Sequence, residues 1–504
     1  MANRLIDRIQ VFYDKLEKMS KGKEAAIVCC IFSVLVYGVV IGMGTLTSGF
    51  HLVDDWEFAQ YIDWMTLDGK SLWECLRQAV GFDLTLRFRP LYYINRVLMT
   101  AVSVVKASEI VAALVLLYYC ARQMKCNMVY AALFALTVMV GYQSAVWWKL
   151  GPQESYDIMM FALGFYLLLK WLGTDRKWYA FASVGAFFLM SIYKEPFILL
   201  LPFVGLYVLY EEMQGGRVSM RGLWAAIRRR LPYLVAIGIL FTVEMFLIVF
   251  VIGTNNYSYV GLDESVTLDQ YVQAWSTAAH ADLKWYVRFG IVMGLILLTY
   301  WEQTKKLIWE VLLAAAIIVP QCVTYSKTAI AERYILPCVL GFAFFFVIVG
   351  CNLRPLSGKR RIVYMLSLLL MLAAHGRVVL REAHYFTYRG ESIKTALNST
   401  LELVSGTDKK VLSCFGPNLE GNKTMYHWFR IHGYDEVFYW EEDLHKINRS
   451  FGPREDEQAA FDEIDVIVMY NKEDRHWCYE PSLDLSDFTE HICGTITMYV
   501  RNDA

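Results

Sequence analysis

Little of this chain is charged. Asp, Glu, Lys and Arg supply 19% of its 504 residues, against roughly a quarter in an ordinary soluble domain, so a water-facing surface of normal polarity is excluded. Proline is sparse at 11 residues, and long helices can therefore run without interruption. There is no Gly-rich phosphate loop, no GxGxxG, no HExxH and no kinase-like set, which removes the usual nucleotide-binding and zinc-hydrolase chemistries. The 11 cysteines contain no CxxC and no zinc spacing, and the 9 histidines show no ligand spacing, so no metal site is read. Internal repeats and low-complexity stretches are also missing. A net charge of −1 leaves no basic excess for a nucleic-acid partner.

What remains is apolar. Hydrophobic residues make up 56% of the chain and aromatics 15%, with a mean hydropathy of +0.35, the composition of a polytopic α-helical membrane protein. With roughly 20 apolar residues needed per crossing, about eleven spans are expected. They fall at 25–45, 107–121, 128–146, 156–172, 178–193, 196–211, 231–252, 286–301, 308–323, 335–350 and 362–379.

Lys and Arg in the short connections alternate in one parity: Arg4 to Lys23, Arg122 and Lys125, Arg176 and Lys177, Arg217 to Arg230, Lys305 and Lys306, and Arg354 to Arg361. By the positive-inside rule that side is cytoplasmic, and anionic lipid accounts for the basic clusters. The expected location is the plasma (inner) membrane. Residues 1–24 then form a cytoplasmic amphipathic segment with no cleavable signal, 25–380 the membrane part, and 381–504 an extracytoplasmic domain.

Two outer segments are long enough to fold. The first, 46–106, carries amphipathic stretches at Ser71–Val80 and Leu91–Met99, read as helices lying in the membrane interface. In the tail, apolar runs at 411–415, 465–470 and 495–500 alternate with helical patterns near 391–404 and 421–432, which reads as a small α/β domain. Cys75, Cys414, Cys478 and Cys493 lie on this side, and one or two disulfides are compatible with them.

Cytoplasmic connections are short and basic, so chemistry is expected outside, on a substrate that the membrane delivers. There the charged residues gather at the ends of spans: Asp54, Asp55 and Glu57; Arg87 and Arg89; Glu154 and Asp157; Lys194 and Glu195; Glu332 and Arg333. Asp54 and Asp55 can supply a general base. They equally fit a helix cap, since Asp54-Asp55-Trp56-Glu57 follows a D-x-x-E pattern. Arg87 and Arg89, two apart, face one way in an extended segment before Pro90, where they either grip phosphate or snorkel at the interface. Arg333 beside Tyr334 is the first choice for a phosphate ligand, with ion pairing to Glu332 as the alternative. Lys194 and Glu195 before Pro196 serve either a site or a turn. Glu154 and Asp157 can bind sugar hydroxyls or simply hydrate a span end. Trp148, with Trp147, can stack on a sugar ring or belong to the aromatic belt. Glu244 interrupts an apolar run, a usual mark of function or of a buried partner, and His51 and His280 are outer-loop residues within reach of a cavity.

Val53-Asp54-Asp55-Trp56, Leu86-Arg87-Phe88-Arg89-Pro90, Tyr193-Lys194-Glu195-Pro196 and Glu332-Arg333-Tyr334 with Pro337 together resemble the GT-C superfamily of membrane glycosyltransferases. The resemblance covers about residues 25 to 380, and its Asp54-Asp55-Trp56 and Arg87-Phe88-Arg89-Pro90 elements resemble those of bacterial members that decorate envelope polysaccharides. It implies a polyprenyl-phosphate sugar as donor, a glycan or lipid acceptor, inversion at the anomeric carbon and a first-loop Asp as base, with a slight preference for Asp54. Arg333, Arg87, Arg89 and Lys194 would hold the donor phosphate, and Glu195, Glu154, Trp148 and Tyr334 the sugar or acceptor. No cofactor is expected, although some members use a divalent ion. A transporter or flippase, or a polymerase or ligase of lipid-linked saccharides, is the alternative reading; the former would place ionisable groups at the bilayer midplane.

Overall fold

A computed structural model of the chain describes residues 19–49, 51–52, 56–84, 88–93, 104–149, 151–213, 220–251, 267–322, 332–352, 358–416, 419–449, 457–475 and 480–502. Asp54, Asp55, Arg87, Cys478 and most of the stretch read as a helix at 91–99 lie outside the described residues.

Each apolar window of the sequence coincides with a helix, and among the described residues six helices are long and apolar enough to cross a membrane. They are Lys21–Gly42 (α1), Glu154–Thr174, Glu195–Met213, Met220–Val251, Glu332–Asn352 and Tyr364–Val404. A seventh crossing is possible if the bent pair Met128–Met139 and Tyr142–Trp148 counts as one. The count of eleven is therefore not reached by length and composition: Lys177–Ser191, Lys284–Thr299 and Ile308–Gln321 have only 15, 16 and 14 residues, and Val105–Gln123 carries Lys106, Glu109 and Arg122.

The solvent for these helices is lipid. On α1 only Glu24, Val28, Phe32, Val36 and Val40 are buried, four residues apart on one stripe. Ile27, Ile31, Val34 and Ile41 on its other faces are exposed. An apolar helix uncovered around most of its circumference is stable in hydrocarbon and not in water. Inside the bundle the packing is close where side chains are small: a Cβ on Gly164 would lie 2.9 Å from the Phe187 ring, and Ser183 donates to the Gly164 carbonyl at 2.8 Å, the small-residue contact typical of membrane helices.

The bent pair turns by 77° at Gly141, whose φ of +147° suits a residue without Cβ. Breaking a helix in lipid strands backbone carbonyls. Gln143 takes them up, its Nε2 donating to Val138 at 3.0 Å and Val140 at 3.1 Å, while the Tyr286 hydroxyl reaches the Thr137 carbonyl at 3.1 Å. The break carries the chain sideways to Lys149.

The C-terminal domain is a seven-stranded sheet in the order β4-β3-β2-β1-β5-β7-β6. Its strands are β1 (Lys410–Cys414), β2 (Val437–Glu441), β3 (Lys446–Arg449), β4 (Gln458–Ala459), β5 (Ile464–Tyr470), β6 (Phe488–Cys493) and β7 (Ile496–Arg501). β1 is parallel to β2 and β5, and the other pairs are antiparallel. The three apolar runs of the tail are thus β1, β5 and β7. One helix of 47 residues, Gly358–Val404, runs through residue 380, about 70 Å long at 1.5 Å per residue. Its last turns put Ile393, Ala396 and Leu397 into the core of the sheet domain. Among the described residues Cys75, Cys414 and Cys493 form no disulfide with one another.

Candidate functional site

The end of the bundle nearest the sheet domain gathers the charges that lie far apart in sequence. Lys194 is extended (φ −149°, ψ 129°), with Pro196 in the first turn that follows, so the chain bends and turns the lysine inward. Its ammonium bonds Glu154 Oε1, the first residue of the span Glu154–Thr174. Arg333 Nε stands 3.5 Å from the same oxygen. Burial, together with the cations Arg333 and Arg89, holds Lys194 below its ordinary value despite the Glu154 charge.

Tyrosine rings separate the three cations. The Arg89 guanidinium is 4.2 Å from the Tyr92 ring centre and 5.6 Å from that of Tyr93, and it donates to the Tyr93 hydroxyl at 3.3 Å. Lys194 Nζ lies 5.9 Å from the Tyr92 ring and 5.4 Å from that of Tyr334. Arg333 is 4.9 Å from the Tyr334 ring and reaches its hydroxyl at 3.2 Å. Behind them Tyr193 meets Tyr92 edge-on at 5.9 Å and stacks on Tyr156 at 4.5 Å. Ring faces stabilise cations by their quadrupole, so the order Arg89, Tyr92, Lys194, Tyr334, Arg333 keeps like charges together in a largely buried place. The same arrangement offers guanidinium forks and an ammonium to an oxyanion.

Arg333 is presented by a strained turn. Glu332 has a φ of +45°, unusual for a residue with a Cβ. Lys149 Nζ holds its carboxylate at 2.7 and 2.8 Å, and its N–H donates to Asp282 Oδ2 at 2.7 Å. Burial, with Glu332 and Glu382 nearby, pushes the Asp282 carboxyl up to about 6, against the opposing pull of that N–H bond and of Lys149. A carboxyl raised in the fold stabilises most when protonated, and that contribution is lost as pH rises from the ordinary carboxylate value through about 6. Asp282→Asn keeps an acceptor for Glu332 and removes the charge. It is expected to raise the melting temperature of the detergent-solubilised protein more at about pH 8 than at about pH 5.

Of the residues singled out by sequence, Arg89, Lys194, Arg333, Glu154 and Tyr334 come together here. Glu195 is half-buried at the next position and within electrostatic reach of Asp157. Trp148 does not belong: its indole N–H donates to Ser144 Oγ at 2.7 Å and its ring packs edge-on against Phe386, inside the bundle. His51 is a structural residue stacked on Phe386, and His280 is exposed and bonded to the Ser276 carbonyl. Glu244 Oε1 accepts a hydrogen bond from Ser191 Oγ at 3.4 Å.

Composition and motif gave no reason to select Tyr92 or Tyr156 among 32 tyrosines. Asp157 had a legible signal, because it lies three residues after Glu154 and shares its helix face. It is fully buried, and neither of its oxygens accepts a hydrogen bond from a described residue; Glu154 Oε2 is in the same state. These acceptors suit hydroxyl donors. Among the described residues no group of three or more His, Cys, Asp or Glu side chains is placed to hold a metal ion. In comparisons with known proteins, no family model matches the chain and no curated protein matches it.

Proposed function

We propose that the chain is a membrane glycosyltransferase that takes a sugar from a polyprenyl-phosphate donor and passes it to a glycan or lipid acceptor on the extracytoplasmic face of the plasma membrane. The observation that carries this reading is the convergence of Arg89, Lys194 and Arg333, interleaved with Tyr92 and Tyr334, at one end of a helical bundle. Such a cluster at a bilayer boundary fits a phosphate on a lipid, with the prenyl chain remaining among the helices. The reading keeps about eleven spans, with the short helices crossing as well, and a cytoplasmic N-terminus.

In this mechanism an acceptor hydroxyl attacks the anomeric carbon from the side opposite the phosphate. The bond from that carbon to the phosphate oxygen breaks, and the electron pair leaves with polyprenyl phosphate. Asp54 or Asp55 takes the hydroxyl proton. Arg333, Lys194 and Arg89 meet the charge that grows on the leaving group, which is where fixed cations contribute most. Glu154 and Asp157, with Glu195 beside them, receive hydroxyls of the sugar, and the configuration at carbon inverts. Arg87 joins the phosphate ligands from the same segment as Arg89.

The test is transfer of radiolabelled sugar from synthetic polyprenyl-phosphate sugars into envelope polymer by membranes containing the protein. Arg333→Gln is expected to lower kcat/KM roughly 100-fold at unchanged protein level. Equal transfer by this variant and the wild type, or no transfer from any such donor, counts against the assignment.

A further inference from the structure

The C-terminal domain does more than adjoin the membrane part, because it takes hold of the connection that carries the acid pair on both sides of that pair. Upstream, Leu52 has a φ of +63° and is 0% exposed. It is a member of the sheet domain's own core, with Ile393, Phe415 and Tyr426. Gly421 makes room for it, since a Cβ there would come within 3.3 Å of the Leu52 carbonyl and 2.9 Å of Phe415. His51 stacks on Phe386 with ring centres 3.5 Å apart, and its Nε2 lies 3.1 Å from the Phe386 carbonyl and 3.2 Å from Ser48 Oγ.

Downstream, the helix Trp56–Thr66 packs along Leu419–Ile431, the crossover helix between β1 and β2. Asp63 is fully buried between them. Its Oδ2 meets His427 Nδ1 at 2.6 Å and Arg430 Nη1 at 3.1 Å, and Arg430 Nη2 reaches Asp68 at 2.7 Å. From β1 the chain crosses to β2 on one side, while β5 pairs on the other. Open α/β sheets take their ligands at such a switch point, outside the carboxyl ends of the strands. Phe415, just past β1, and Gly421 face that end, and what they receive is Leu52.

Asp54 and Asp55 are two and three residues beyond Leu52, and two and one before Trp56. Building on the glycosyltransferase reading, we infer that the sheet domain is a positioning part of the transfer site, with Asp63, His427 and Arg430 acting through the connection they clamp.

The test uses full-length protein in lipid nanodiscs, the radiolabelled polyprenyl-phosphate sugar accepted by the wild type, and envelope polymer as acceptor. Asp63→Ala and His427→Ala are each expected to lower kcat about 30-fold, the scale of a small misplacement, with the donor KM within about twofold of wild type. Amide hydrogen exchange in Trp56–Thr66 should become faster in both, and the double variant should be no slower in turnover than either single one. His427→Asn, which keeps a donor where Nδ1 stands, should recover most of the rate. Unchanged kcat in both alanine variants, or a loss that His427→Asn does not recover, overturns the positioning role. Asp54→Asn and Asp55→Asn run beside them. If neither slows transfer, the acid-pair reading fails, while exchange in Trp56–Thr66 still decides whether the sheet domain holds the connection: faster exchange in His427→Ala upholds the clamp, and unchanged exchange overturns it.

Discussion

Lys194→Met is expected to destabilise the protein by about 3 kcal/mol and to abolish most transfer, and the two losses should separate in a second variant. The stability loss follows from Glu154, which is 2% exposed and bonded to the lysine. Removing one partner of a buried ion pair leaves the other charge without compensation, at roughly 3 to 5 kcal/mol. The lower figure applies because Arg333 remains 3.5 Å away. Lys194→Met with Glu154→Gln removes both charges at similar volume, and such replacements of buried pairs are often neutral. Thermal unfolding in detergent should therefore return near to wild type in the double variant, whereas turnover should stay low because the phosphate has lost a cation. Recovery of both stability and turnover would reduce Lys194 to a structural residue.

Asp54→Asn or Asp55→Asn should lower turnover by about 10² to 10⁴, the usual contribution of a positioned base, with affinity for polyprenyl phosphate little changed. An amide has the size of the acid and cannot take a proton from the acceptor. The two variants are expected to differ, since only one carboxylate accepts the proton. Single-turnover transfer with saturating donor measures the step, and binding of polyprenyl phosphate to the same variants measures the site apart from it. If both variants turn over normally, the proton goes elsewhere. Asp157 would then be the next base to test, as a fully buried carboxylate whose oxygens accept no hydrogen bond from the described residues.

The helices were legible wherever lipid was the opposing phase, because hydrocarbon selects for length and apolarity and both are local. That is why Lys21–Gly42 and Met220–Val251 follow from hydropathy. Short helices such as Ile308–Gln321 are legible as helices only, since whether they cross depends on their neighbours. In the tail, β1, β5 and β7 showed as apolar runs. β6 did not: only its first residue, Phe488, is buried, so it has no apolar pattern and exists through pairing with β7.

At the site, the polar residues that end apolar runs were visible one by one. Arg89, Lys194, Arg333 and Glu154 each break the pattern of their segment, and a charge at a span end is cheap to notice. Trp148, also singled out, packs on Phe386 with its indole N–H on Ser144. A side chain's type states what it can do, while its destination depends on the crossing of helices far apart in sequence.

The sequence by itself determined that this is a helical membrane protein with a small α/β tail, and which few ionisable groups stand at the ends of its apolar segments. Those properties depend on each segment's own free energy of transfer. Only the tertiary structure decided that Arg89, Lys194 and Arg333 share one place between tyrosine rings, that Asp157 is buried beside them, and that Asp63 meets His427 across 364 residues. Contacts over such separations have no local periodicity, because packing among many helices and the docking of a second domain determine them.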